Sequence, residues 1–505
     1  MDRQKETKQQ ADGQGFACFG AGKQGERIAA MAREFGTEPV FFVDNNPQKS
    51  GMLCAGIPVF SPEVLQETSV AHILITSSQE GEIRSQLLAR GIPGRKIITG
   101  CHNILNHLLY HAVSALTRDM QTVVIPVEPP DEMSPVPYGA DVWKRRPVLY
   151  DLQNGLVLGG VETWTYGLAR QLKDVGIAGL YLTTDTPGPA MSDHTYPACI
   201  LPYQSHSKDK ERIRLCMQEI ESCLPCTVLC SFPQYTFWSA CLVRKKYPGQ
   251  IRILAVQHSD DPLYYEAYSL WRDSVDCFIT LSSRMEQCLG ETGVKQEQMV
   301  RMDWQVPCPA QLKRTWTGKT APLRIGYAGR VTTISKRADL LTDLALMLRE
   351  KAVSFILSIV GEGDYSRELV QKIRCERLEM CVKPIGYIDR KALSAFWNSQ
   401  DVMISCSERE GHSLSQREAM AQGAVPVITD VSGARDDIKD GENGFIVDVG
   451  DLAAAAERIA YLHENRDTLE KMGKAAHQSV LVKQKDTDQK AFWLNLLKEV
   501  WEPCK

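Results

Sequence analysis

A strand, a glycine turn and a helix follow one another in FACFGAGKQGERIAAMA, and this succession restricts the fold more than any other feature of the chain. Gly20, Gly22 and Gly25 stand in G-x-G-x-x-G spacing, which permits a tight turn and close backbone approach to a phosphate. A second apolar run, VFFVDNNP, ends at Asp44, nineteen positions after Gly25. Strand, turn, helix, strand and acid in this order form the dinucleotide-binding arrangement, in which the acid meets ribose hydroxyls. Lys23 and Gln24 inside the turn suit a phosphate-facing role, and three occupancies stay open: NAD, a nucleotide sugar, or a purely structural turn. No Tyr-x-x-x-Lys pair follows in this segment, which argues against a short-chain dehydrogenase or epimerase. Strand-like IPVF, HILITSS and KIITG continue the alternation to about residue 105.

The same alternation of apolar runs and amphipathic stretches returns after residue 147, so the fold class is α/β. With 505 residues the chain suits about three domains. The expected division is a Rossmann-like nucleotide-binding unit over 14–118, a linker over 119–147, the first half of a two-domain module over 148–311, its second half over 322–483, and a helix over 484–505 that packs back onto the first half. Proline and acids without an apolar period over 126–147 mark the linker, and HNILNHLLYHAVSALTRDM before it reads as a helix. KRTWTGKTAPL marks the shorter break between the halves.

Between Glu410 and Gly423 the chain reads EGHSLSQREAMAQG, with Glu410 and Glu418 eight positions apart. Ser413 followed by Gln416 has the form of a capping box, which predicts a helix from Leu414 with Glu418 one turn inside it. Free N–H groups at a helix start, with the positive end of its dipole, suit a diphosphate, and flanking carboxylates can accept from sugar hydroxyls. By itself the pair also fits an amphipathic helix with two solvated acids.

The order of the surrounding segments resembles the retaining family 4 glycosyltransferases with a GT-B fold, from roughly Tyr150 onward. Arg330 ends LRIGYAGR, Lys336 follows in TTISKRAD, FILSIVGEGDY breaks at Gly361 and Gly363, and IGYIDRKALSAFWNSQDVMISCSE leads into the acidic loop, followed by AVPVITDVSGARDDI and DGENGFIV. The resemblance implies that Arg330 and Lys336 face the diphosphate of a UDP- or GDP-sugar, that Glu410 faces the donor sugar, and that Glu418 holds the ribose. Gly361, Gly363, Tyr387, Ile388, Gly411, His412, Ser413 and Leu414 would complete the donor site. On the other half, Gly159, Gly160 and Glu162 in VLGGVETW resemble the acceptor-side loop, and His258 at the end of IRILAVQH matches a position facing the donor sugar. Retention without a covalent nucleophile, hexosyl transfer and no need for a metal ion or other cofactor are further implications. The chain departs from the pattern in two places: the Arg330–Lys336 interval is one residue longer, and His412-Ser413 stands where a second glycine and an aromatic are commoner. The front unit resembles nucleotide-binding domains of bacterial polysaccharide-assembly proteins, including the front domain of sugar acyltransferases.

Net charge is −4, so nothing favours a nucleic-acid partner. The first fifteen residues lack the apolar core of a signal peptide and no stretch reaches the roughly 18 apolar residues that span a bilayer, so a cytoplasmic protein is expected. Sixteen scattered cysteines read as buried thiols, and Cys223, Cys226 and Cys230 lack a nearby fourth ligand for zinc. RKKYPGQIR, a basic patch from Arg244 to Arg252, is either a solvated face or a contact with anionic lipid beside a lipid-linked acceptor, a peripheral placement at the inner membrane face. Two functional classes follow. One is transfer of a sugar onto a cell-surface glycan, lipid-linked or protein-linked acceptor; the other is an inactive sugar-nucleotide sensor or assembly scaffold, with a GT-B epimerase as a narrower alternative.

Overall fold

The computed structural model describes residues 15–98, 142–152, 160–183, 195–200, 209–485 and 488–502, apart from 35–36, 69, 78, 94–95 and 334. The helix predicted over 102–120, nearly all of the 119–147 linker and Gly159 lie outside the described residues. The described chain forms three sheets, parallel except for one short antiparallel edge pair. The first contains β1 (Phe16–Phe19), β2 (Phe41–Val43), β3 (Leu53–Cys54), β4 (Ile57–Phe60), β5 (His72–Ile75) and β6 (Ile97–Ile98), in the order β3-β4-β2-β1-β5-β6. The second contains β7 (Val148–Leu152), β8 (Gly179–Thr183), β9 (Ala198–Ile200), β10 (Cys226–Cys230), β11 (Ile251–Val256), β12 (Cys277–Thr280) and β13 (Met299–Arg301), in the order β13-β12-β11-β10-β7-β8-β9. The third contains β14 (Leu323–Ala328), β15 (Phe355–Val360), β16 (Val382–Gly386), β17 (Val402–Ser405), β18 (Val425–Thr429) and β19 (Phe445–Val447), in the order β16-β15-β14-β17-β18-β19.

Helices cover both faces of these sheets, which is why β1, β7, β10, β17 and β18 are buried at every position. In each sheet the strand order reverses beside its first strand. The reversal leaves a crevice at the carboxyl ends of the strands, where ligands of such sheets gather. In the third sheet this point lies between β14 and β17, so the loops after them, carrying Arg330 and Glu410, share one edge.

The helix Gln489–Trp501 returns to the second sheet. Its Trp493, Leu496, Leu497 and Trp501 belong to the same core as Val148, Tyr150 and Leu152. Trp501 Nε1 donates to Thr227 Oγ1 at 2.9 Å, and Arg146 and Arg252 lie over its ring. Arg252 also donates to the Val500 carbonyl, Arg244 to Asp276 and Lys246 to Glu221. Much of the basic patch over 244–252 is therefore engaged in internal pairing, including the attachment of this helix.

Candidate functional site

The helix Leu414–Ala421 begins where the sequence predicts. Ser413 caps it, its Oγ accepting from the Gln416 N–H. The second half of the capping box is not formed, because the Gln416 amide turns to the buried Asp437 instead. Just before the helix, Glu410 accepts from Lys336 Nζ at 2.5 Å and from Ser407 Oγ at 2.8 Å. Glu418 lies half-buried in the second turn. The Lys336 loop has an unusual backbone: Ser335 and Arg337, on either side of the lysine, adopt φ of 61° and 49°. Glu408 engages both, its N–H donating to Ser335 O at 2.7 Å and its carboxylate accepting from Arg337 at 2.6 Å.

Arg330 is exposed at the end of β14. Gly361, with φ of 124°, brings the loop after β15 onto the loop after β14; a Cβ there would fall 1.9 Å from the Gly329 carbonyl. Gly363 approaches Val331 in the same way. Tyr387 and Ile388 follow β16, and Gly386 O accepts from Gly361 N, which gathers these loops at one rim. Tyr387 is 59% exposed and available to a ligand.

His412 is turned inward. Its Nδ1 lies 2.6 Å from the Leu281 carbonyl and its Nε2 2.7 Å from Asp437 Oδ2; both partners are acceptors, so satisfying both requires each nitrogen to donate. Arg417 and Lys483 donate to the same Asp437 carboxylate. Burial would raise the Asp437 carboxyl, but His412 and Arg417 overcome it and hold the group well below its ordinary range. Arg417 reaches on to Asp303 and the Trp304 carbonyl, both at 2.7 Å. Ser282 meets Ser432 at 2.6 Å, and Asp436 accepts from Ser283. The bonds of His412 to Leu281, Arg417 to Asp303 and Trp304, Ser282 to Ser432 and Ser283 to Asp436 join the second and third sheets' units, while Asp437 anchors His412 and Arg417 from within the third. Sequence reasoning missed Asp303, Arg417, Asp437, Ser282 and Ser432, whose partners are far apart in the chain and leave no local spacing.

The His258 carbonyl touches the acidic loop: a Cβ on Gly411 would fall 2.0 Å from it. The His258 ring lies edge-on to Trp164, with centroids 4.9 Å apart, and its buried Nε2 has no hydrogen-bond partner among the described residues. Burial pushes the imidazole down to about 3, so the ring is neutral at physiological pH. It can exchange a hydrogen bond with a hydroxyl but carries no charge to a phosphate. Gly160 opens the helix Gly160–Lys173 with free space where a side chain would stand. Glu162 in its first turn is buried, and burial raises its carboxyl against the opposing pull of Arg330.

In the front unit Gly20 N donates to Val43 O, and the turn opens into the helix Lys23–Glu34, on which Lys23 and Gln24 are exposed and Gly25 is buried. Gly22 has nothing within 4 Å of where a Cβ would stand. Asp44 accepts from Ala21 N at 2.8 Å, Asn46 N at 2.9 Å and Lys49 Nζ at 2.9 Å. Its burial is offset by Lys49 and these N–H groups, which hold the carboxyl below its ordinary value. Lys49 is a further cation at this turn, without a motif to announce it. Among the described residues no group of three or more His, Cys, Asp or Glu could hold a metal ion.

Residues 312–479 match the family model of glycosyl transferases group 1, and residues 15–98 match the model described as C2185-like, N-terminal. Among curated proteins, the poly(ribitol-phosphate) alpha-N-acetylglucosaminyltransferase of Staphylococcus aureus (strain COL) is 29% identical over 175 residues, 34% of this chain and 34% of that protein. The capsular polysaccharide biosynthesis glycosyltransferase CapM of Staphylococcus aureus is 28% identical over 158 residues, 30% of this chain and 39% of that protein. The chain thus spans little more than a third of the length of these relatives. Two solved structures share the fold. A variant of S. aureus TarM in complex with Fondaparinux, alpha-GlcNAc-glycerol and UDP aligns with a TM-score of 0.57 at 14% identity, over 70% of this chain and 99% of that one. HepE of Anabaena in complex with UDP and glucose aligns with a TM-score of 0.57 at 17% identity, over 71% and 99%. Residues 312–479 are thus similar to glycosyl transferases group 1, including enzymes of polysaccharide biosynthesis, and about 70% of the chain shares the fold of the two solved structures.

Proposed function

We propose that the chain is a retaining, metal-independent glycosyltransferase of hexosyl type, moving a sugar from a nucleotide sugar to a glycan, lipid-linked or protein-linked acceptor. The observation that carries this reading is the Lys336–Glu410 pair at 2.5 Å, set directly before the helix that starts at Leu414. In the reading, a diphosphate approaches that helix start and Lys336 exchanges Glu410 for a phosphate oxygen. The released Glu410 then accepts from hydroxyls of the donor sugar. Arg330, Lys336 and the helix N–H groups stabilise the charge that grows on the departing diphosphate, which lowers the barrier to transfer. With that charge met by fixed cations, the acceptor attacks from the face the diphosphate leaves. Glu418 takes the ribose hydroxyls, and the neutral His258 Nε2 offers a hydrogen bond from the opposite half.

UDP in both neighbouring structures favours a UDP-sugar over a GDP-sugar as donor. The unit over 14–118 is read as a Rossmann-like accessory domain binding a nucleotide or NAD at Gly20–Gly25 and Asp44; 148–311 and 322–483 are read as the two halves of the transferase. No helix among the described residues is long and apolar enough to cross a membrane, and the reading places the protein in the cytoplasm, with peripheral contact where the acceptor is lipid-linked. Glu418→Ala tests the site: transfer and donor hydrolysis should fall by about two orders of magnitude or more, with the melting temperature little changed. Undiminished turnover in that variant would remove the assignment, and nucleotide-sugar binding without any turnover in the wild type would favour a sensor.

A further inference from the structure

We infer that Arg84, in the front unit, is a positioning residue for the transfer site and acts through Glu408 on the loop that carries Lys336. The inference rests on the transfer reading above.

Lys336 sits between two non-glycine residues in left-handed backbone, Ser335 and Arg337. Side chains resist that conformation, so such a loop persists only where its surroundings fix it. Glu408 supplies fixing contacts on both sides of the lysine: its N–H to Ser335 O at 2.7 Å, and its carboxylate to Arg337 at 2.6 Å. Arg337 is further held by Asp339 at 2.9 Å. The Glu408 carboxylate has another cationic neighbour, and it comes from outside the transferase: Arg84 Nη1 lies 3.6 Å away, with the two side chains 23% and 11% exposed. Arg84 belongs to the helix Glu80–Ala89 of the front unit.

Two consequences follow from this placement. Glu408 stands two residues before Glu410, so its charge opposes any diphosphate brought to the helix start; Arg84 partly neutralises it. The cation also holds the carboxylate in the orientation that Arg337 requires. Two more contacts hold the front unit against the rest: Arg409, next to Glu408, donates to Ile97 O at 3.3 Å, and His72 Nε2 lies 3.2 Å from Glu266 on the helix Pro262–Trp271. The Arg84 helix is tied in turn to the glycine-turn end of the front sheet. Gln86 exchanges two hydrogen bonds with Asn45, both at 3.0 Å, and Asn45 follows Asp44. One short helix thereby connects the Asp44 turn to the Lys336 loop.

The test uses the full chain, with UDP binding measured by calorimetry and hydrolysis of UDP-N-acetylglucosamine and UDP-glucose measured without acceptor. Arg84→Ala should weaken UDP binding and raise the donor KM about two- to five-fold at low salt, with kcat and melting temperature nearly unchanged. Arg84→Lys should recover much of the loss, and the loss should shrink as salt rises toward about 0.5 M. In a Glu408→Gln background the Arg84→Ala change should add nothing, because its target has lost its charge. If Arg84→Ala matches the wild type, or if the two losses multiply in the double variant, the inference is overturned while transfer stands. A wild type that binds neither UDP nor either sugar nucleotide overturns the transfer reading and this inference with it.

Discussion

Two seams hold this molecule together, and they are built differently. The seam between the second and third sheets' units carries the more numerous bonds: buried Ser282 meets buried Ser432, His412 meets the Leu281 carbonyl, and Arg417, anchored on Asp437 of its own unit, reaches Trp304 O and the half-exposed Asp303 of the other. The seam between the front unit and the rest includes a long ion pair at 3.6 Å, one carbonyl contact at 3.3 Å and a histidine–carboxylate pair at 3.2 Å, whose Glu266 is 42% exposed. A buried charge group is costly to break because its members have no water to fall back on. A half-exposed pair is screened and easily exchanged. The first seam therefore behaves as a joint, and the second as a contact that can be adjusted without unfolding anything.

The largest expected effect comes from Asp437→Ala. Removing the common acceptor takes the buried carboxylate away from His412, Arg417 and Lys483, and chemical denaturation should show a loss of about 3–5 kcal/mol. Because the folded Asp437 is held well below its ordinary range, its contribution is present above the unfolded carboxylate pKa of about 3.9 and is lost as pH falls through the lower folded value. Stability curves of wild type and Asp437→Asn should accordingly approach one another only in strong acid. If Asp437→Ala costs less than about 1 kcal/mol, the Asp437 cluster is not what fixes the seam residues His412 and Arg417 in place. Next comes Gly411→Ala, whose added carbon meets the His258 carbonyl and must push the halves apart; about 1–3 kcal/mol of stability should go, with donor hydrolysis falling alongside it. The smallest effect belongs to the other seam: Glu266→Gln, which removes the Glu266 charge beside His72, should change thermal stability by no more than about 0.5 kcal/mol. A loss as large as that of Asp437→Ala would erase the contrast between the seams.

The parallel α/β arrangement is legible in the sequence because strands buried on both faces must be nearly continuous apolar runs, as VPVIT is. The helix start at Leu414 is legible for a local reason, since Ser413 caps an N–H only three residues away. Gln416 shows the limit of that reasoning. Its side chain is claimed by Asp437, a partner set by tertiary packing, and the reciprocal cap is given up. The Lys336 loop is illegible for a similar cause: TTISKRAD has no glycine or asparagine to signal left-handed backbone, and Glu408 imposes it from 71 residues away. The ring of His412 is hidden likewise, because Leu281 lies 131 residues upstream. Lys49 joined Asp44 without any motif to mark it, although only five residues separate them.

The helix Gln489–Trp501 has a consequence in time. A ribosome adds residues at about 5–20 per second and domains form as they emerge. Yet Trp501 bonds to Thr227 across 274 residues, and its core neighbours Val148 and Tyr150 are made earlier still. The part of the second sheet's core that this helix closes, beside the one already covered by Trp164, Leu168 and Leu172, must therefore wait through synthesis of the entire third. Over that interval the nascent chain presents an open hydrophobic surface, and chaperone dependence during translation, rather than any property of the finished fold, is where damage to this helix should first be felt.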